Sequence, residues 1–231
     1  MKANTRSIKK AFTLVELLTV IAIIGILAAA LFPAVSHVLK KAKVAAAKGN
    51  LQKIGQAYIA YSTEGGRSRM IDVSSPHEWA LKLAQSGGLN KPDVWLITDD
   101  TLVQEQYEKT QSTPTTVGKE VGGKWVVDTE FRDYPLSWAV ANKVPSSAGD
   151  ETPLVWLRGL KSSGKWSPLS DPSPSPFGED AGLVLLKGGT IIESSNLADE
   201  GGKLQDFTSK GKTGDINKAL PPRANILEPK Q

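Results

Sequence analysis

Residues 11–35 read AFTLVELLTVIAIIGILAAALFPAV, and this stretch decides how the chain is organised. From Leu17 to Val38 no side chain carries a formal charge. At about 1.5 Å of rise per residue such a run spans roughly the 30 Å hydrocarbon core of a bilayer, so it reads as one membrane-crossing helix. A secretory signal peptide, with a small-residue cleavage site around Ala28 to Ala30, is the bland alternative. Against it, the apolar run is long, passes through Pro33 and leads straight into an amphipathic pattern. Glu16 is the discordant residue. A carboxylate in an apolar helix costs on the order of 2–3 kcal/mol near the bilayer centre, less near the edge, and normally has a partner. Either Glu16 lies at headgroup depth, or it meets a cation at its own depth. Cleavage before Phe12 would create one, a free amine.

These residues resemble, position by position, the N-terminal segment of type IV prepilins and type II secretion pseudopilins, over about residues 6–61. The resemblance implies that a prepilin peptidase cuts between Ala11 and Phe12 and methylates the new Phe12 amine. It also implies that Glu16 pairs with that amine, its own or a neighbour's, when subunits assemble; a buried carboxylate is tolerable only beside a cation. The family usually carries Gly before the cut, where this chain has Ala11. Gly25 and Ala29 form a small-xxx-small pair that lets helices approach closely. Pro33 lacks an N–H and predicts a local kink or loosening; the resemblance implies that the segment before it unwinds in an assembled filament.

The same resemblance implies the partners and the place: prepilin peptidase, other copies of itself and other pilin-like subunits, an inner-membrane assembly platform and the lipid bilayer. The protein is expected to be a single-pass inner-membrane protein with its head periplasmic or extracellular, joining a filament after assembly. Charge alone leaves the topology open, because Lys2, Arg6, Lys9 and Lys10 on one flank are matched by Lys40, Lys41, Lys43 and Lys48 on the other.

After Val38 the amphipathic pattern continues, with Leu39, Ala42, Ala46, Leu51, Ile54, Tyr58 and Tyr61 at helical spacing and lysines between them. The expected layout is therefore a leader at residues 1–11, one long helix over 12–61 that crosses the membrane to about residue 39, a globular head over 62–198 and a polar, partly mobile tail over 199–231. Gly49-Asn50 allows a bend in the helix, and EGGRSR at 64–69 ends it. In the head, Ser75, Pro76 and Glu78 signal a capped helix that stops at Gly87-Gly88, with His77 in an exposed first turn. Strand-like runs follow at 93–97, 124–128, 135–141 and 152–160, each containing a tryptophan. Gly188-Gly189 predicts a hairpin with a tight primed turn. The fold class is α+β and pilin-like: a long N-terminal helix, half membrane-spanning and half amphipathic, packed on a small antiparallel sheet.

The chemistry available to such a head is narrow. The chain has no Cys and only two His, which excludes disulfides, thiolate zinc sites and cysteine nucleophiles and leaves little for a triad. No phosphate loop, dinucleotide fingerprint, HExxH or GxSxG occurs, so no enzyme is expected. The formal net charge of +4 equals the four positive charges of the leader, and from Tyr61 onward acids outnumber bases; nucleic acid is not an expected partner. No cofactor is expected, with one open point. Asp171, Glu179 and Asp180 lie in a Ser/Pro-rich loop and offer hard oxygens to Ca²⁺, or are simply solvated, and no EF-hand spacing is present. The six tryptophans mark sheet and core packing, or else a sugar-stacking surface. Type IV pilins frequently close a C-terminal loop with a disulfide, so the absence of Cys favours a type II secretion pseudopilin. The resemblance thus implies a structural subunit of a pilus-like filament. The alternative is a minor or non-polymerising pilin-like protein, membrane-anchored, whose head binds a partner or glycan.

Overall fold

The computed structural model describes residues 13–64 and 69–229, the side chains of residues 33 and 34 excepted. The chain divides into two compact units, residues 1–43 and 44–231. Helix α1, Leu14–Thr63, begins in the first and ends in the second. It continues through Pro33 and through Gly49-Asn50, the expected bend, without interruption.

In the first unit the described side chains from Thr13 to Lys43 are all exposed, the apolar ones included. This part contains an 18-residue window of mean hydropathy 2.7, none of it buried within the molecule. A helix that is apolar all round and covered by nothing of its own satisfies its backbone internally and suits lipid rather than water.

In the second unit, residues 44–63 of α1 bury one stripe: Val44, Ala47, Leu51, Ile54, Ala57, Tyr58 and Tyr61. The expected stripe is corrected at its start, since Ala46 faces outward and Val44 and Ala47 take the inner positions. Gly55 passes the sheet closely; a Cβ there would lie 3.3 Å from Leu185. Helix α2, Pro76–Gly87, is capped as expected. Ser75 accepts from the Glu78 N–H, and Gly88 closes the far end with φ 68°. The Glu78 carboxylate accepts from the N–H and hydroxyl of Ser74 at 2.9 and 2.7 Å. Trp79 of α2 stacks on Tyr58 with ring centroids 5.9 Å apart.

Helix α3, Thr101–Thr110, is capped by Asp100. A ribbon of β1, Gly118–Val121, and β2, Lys124–Val127, follows, then the short helix α4, Thr129–Asp133. The main sheet contains β3, Trp138–Asn142, β4, Pro153–Leu157, β5, Leu183–Leu186, and β6, Ile191–Glu193. Beyond it come β7, Leu204–Gln205, β8, Lys212–Thr213, α5, Ile216–Ala219, and β9, Asn225–Leu227. The five-stranded sheet runs β6-β5-β4-β3-β9, with every neighbour antiparallel. Strands β3, β4 and β5 are buried at every position, which is why they read as unbroken apolar runs instead of alternating ones.

Three sequence expectations are corrected here. Residues 93–97 form no strand: Pro92–Val94 is a single 3₁₀ turn. Proline lacks the donor a ladder needs, and the turn places Trp95 in the core. The turn after β5 is not a primed one. The Gly189 N–H closes on Leu186 O and, of the two glycines, only Gly189 has positive φ, the pattern of an ordinary turn ending in a glycine bulge. The primed turn belongs to Gly122-Gly123, φ 59° and 77°, between β1 and β2. Finally, the stretch 199–231 is not a separate tail. Val140↔Leu227 and Asn142↔Asn225 seat β9 beside β3, and Leu204, Ile216, Ala219 and Leu220 enter the core. A few well-spaced apolar anchors and one edge strand suffice for that, despite the polar composition.

Five of the six tryptophans, at 79, 95, 138, 156 and 166, are at most 1% exposed, and Trp125 is half-buried on β2. Trp166 lies over Gly182, where a Cβ would come within 2.3 Å of its ring. A fully buried polar network links the layers. Arg158 donates to Asp100, to Leu136 O at 2.9 Å and to Pro174 O at 3.1 Å, and the Ser137 hydroxyl donates to Asp100 at 2.7 Å.

Candidate functional site

The candidate site is the start of α1. The Thr13 carbonyl accepts from the Leu17 N–H at 3.2 Å, making Thr13 the N-cap. Its hydroxyl accepts from the Glu16 N–H at 3.2 Å and donates to Glu16 Oε2 at 2.7 Å, and the Thr13 N–H donates to the same Oε2 at 2.9 Å. This is a capping box, Thr-x-x-Glu, closed in both directions. The bonds to Oε2 compensate part of the cost of holding a carboxylate beside hydrocarbon. They also fix the carboxylate at the very N-terminus of the helix, where the helix dipole favours negative charge.

Glu16 therefore has a local partner that the sequence reading missed, although the signal was present in TLVE at residues 13–16. Ala11 and Phe12, the expected cleavage pair, lie outside the described residues. Gly25 sits in the exposed part of α1, where a Cβ would meet nothing within 4 Å. Pro33 is inside α1. Farther on, the Ser36 hydroxyl folds back to donate to Phe32 O at 3.2 Å, a bond that lets a polar side chain sit in an apolar helix.

The expected calcium ligands are not brought together into a site. Asp171 pairs with Lys161 at 3.1 Å and accepts from the Ser173 N–H at 3.1 Å, contacts that hold its carboxyl below the usual carboxylate range. Glu179 and Asp180 are exposed. Among the described residues no group of three or more His, Cys, Asp or Glu is disposed to hold a metal ion. His77 is buried rather than exposed: its Nε2 lies 2.9 Å from Tyr134 O and its ring meets Phe131 edge-on. The cleft beside it, about 810 Å³, is lined by residues of both charge signs, among them Glu78, Glu105, Lys109 and Arg132. It contains no tryptophan, so it offers no indole platform for sugar stacking.

Residues 6–32 match the family model of the prokaryotic N-terminal methylation motif, the prepilin-type cleavage and methylation signal of type IV pilins and pseudopilins. No curated protein and no solved structure matches the chain. The motif supports a type IV pilin-like protein processed by a prepilin peptidase and assembling with other pilin-like subunits. Pilin-like proteins that carry it are structural rather than enzymes. One helix near the N-terminus is long and apolar enough to cross a membrane, consistent with a pilin-type anchor.

Proposed function

We propose that this chain is a pseudopilin-like structural subunit of a filament of the type II secretion kind. It is cut after Ala11, N-methylated on Phe12, held in the inner membrane by α1 and polymerised by packing α1 against the same helix of neighbours. The observation that carries this reading is the capped carboxylate at the head of an apolar helix whose described side chains from Thr13 to Lys43 are all exposed. In a lone membrane anchor the only return on Glu16 would be the helix cap it closes with Thr13. In a filament it is a socket for the methylated amine of Phe12, because charge pairing in a low-dielectric bundle is strong and selective.

The lack of Cys agrees with a pseudopilin head. Here β9 pairing with β3 and the burial of Ile216 and Leu220 hold the C-terminal part in place, so this head does not need a disulfide to close it. The test is co-expression of wild-type and Glu16→Ala protein in a host that assembles such filaments, followed by shearing. Wild type is expected in the sheared fraction and the variant only in the membrane. Equal amounts of both in filaments would refute the assembly role of Glu16.

A further inference from the structure

The ribbon of β1 and β2 is anchored at one end only. At its base Gly118 sits against Leu81 of α2 with no room for a Cβ, and its partner Val127 is buried. At its tip a Cβ on Gly122 or Gly123 would meet nothing within 4 Å. Three residues at about 3.3 Å each carry the tip roughly 10 Å from Val127. The register Lys119↔Val126 and Val121↔Lys124 places these four side chains on one face, where Val121 and Val126 are 54% and 38% exposed. Among the described residues of the second unit six large apolar side chains are exposed, so two on one short ribbon make it a local apolar knob. Charges of both signs flank it. Glu120 and Lys124 are exposed, and among the described residues neither is in an ion pair.

The cleft of about 810 Å³ opens beside the base of the same ribbon, with Val127 in its lining. That volume falls within the roughly 300–1,000 Å³ of sites that enclose a ligand. One wall is the face of α3 that carries Leu102, Glu105 and Lys109, and α4 contributes Arg132 and Asp133. Helix α3 lies loosely on the head, with Val103 its one buried residue. The four charged side chains are exposed and, among the described residues, none is in an ion pair. Such a cleft is the complement of the ribbon tip: Leu102 and Val127 for Val121, the acids for Lys124, the bases for Glu120. An occupant of a single charge sign would leave one set of these charges unmatched as it buried them.

We propose that the β1–β2 tip of one copy docks in the cleft lined by α2, α3 and α4 of the next. The contact rests on the reading of the chain as a filament subunit, and it names the surfaces through which heads meet. Tip and cleft are different patches of the same head, so the contact is heterologous and repeats from copy to copy without closing.

The chain has no Cys, so an introduced thiol is a specific handle. Full-length Val121→Cys and Gln106→Cys proteins, which keep every charge and change no fully buried side chain, are co-expressed in a filament-assembling host. Sheared filaments are then treated with a bismaleimide. The expected result is a covalent dimer in the mixed filaments that neither variant gives alone. Adding Lys124→Glu to the Val121→Cys chain should abolish the dimer, and adding Glu105→Lys to the Gln106→Cys chain should then restore it. Filaments that form without the mixed dimer, or a dimer indifferent to Lys124→Glu, would overturn the contact and leave the filament role intact. So would a cleft thiol that links to a different protein instead of to Val121→Cys, which would give the cleft another partner. Absence of filaments from the wild-type chain would overturn both the contact and the filament role.

Discussion

Replacing Thr13 by Val keeps the shape of the side chain and deletes the hydroxyl that bonds Glu16 in both directions. The cap should weaken by about 1 kcal/mol, seen as roughly fivefold faster hydrogen exchange at the Glu16 amide in bicelles, with Thr13→Ser restoring protection. Glu16 itself was legible in the sequence because a lone acid in an apolar run is conspicuous. Thr13 was legible too, as the first residue of the Thr-x-x-Glu pattern, but the apolar run after it draws a membrane reading in which a capping box is easily passed over. The Asp100–Arg158 pair was illegible, because 58 residues separate partners that meet only in the folded head. Asp100→Ala leaves a guanidinium that is 1% exposed without its carboxylate, at a cost of about 3–5 kcal/mol. The thermal midpoint of the detergent-solubilised protein should fall by roughly 10 °C or more. Asp100→Ala combined with Arg158→Met should cost less than the sum of the single changes.

Among the elements, those signalled by local chemistry were readable. The Ser75, Pro76, Glu78 and Gly88 pattern gave α2 both of its ends, and the continuous apolar runs gave β3, β4 and β5. What failed depended on backbone conformation or on distant pairing. The primed turn sits at Gly122-Gly123 and not at Gly188-Gly189, and β9 exists only because β3 offers it an edge. Gly123→Ala, at φ 77°, should destabilise the ribbon by about 1–2 kcal/mol, whereas Gly49→Ala, in helix with open space around it, should be neutral or stabilising. Both are measurable by urea unfolding in detergent. The start of α2 also predicts a pH dependence. The bonds from Ser74 hold the Glu78 carboxyl below its ordinary value, as the Lys119 contact does for Asp128. Both groups bind protons more weakly folded than unfolded, where carboxylates titrate near 4. Their stabilisation is complete above about pH 5 and is lost as pH falls below 4. Unfolding midpoints should drop between pH 6 and pH 3.5, and Glu78→Gln should flatten that slope.

At the scale of the whole molecule, a basic leader precedes an apolar helix, and an acidic head follows it. The described side chains of the first unit are all exposed, while the second unit has a core of tryptophans and aliphatic residues. A unit whose described apolar surface is left uncovered suits lipid or neighbouring copies, and the proposed function rests on that surface. The head carries a cleft lined by side chains of both charge signs, and among the described residues no group of three or more His, Cys, Asp or Glu is disposed to hold a metal ion. The measurement that tests the central claim most directly is N-terminal peptide mass spectrometry on protein from native membranes or the sheared surface fraction. The account predicts a chain that begins at Phe12 and carries one additional methyl group on its amine. A chain that retains Met1 in cells with an active prepilin peptidase, or one that begins beyond Ala30, would contradict it.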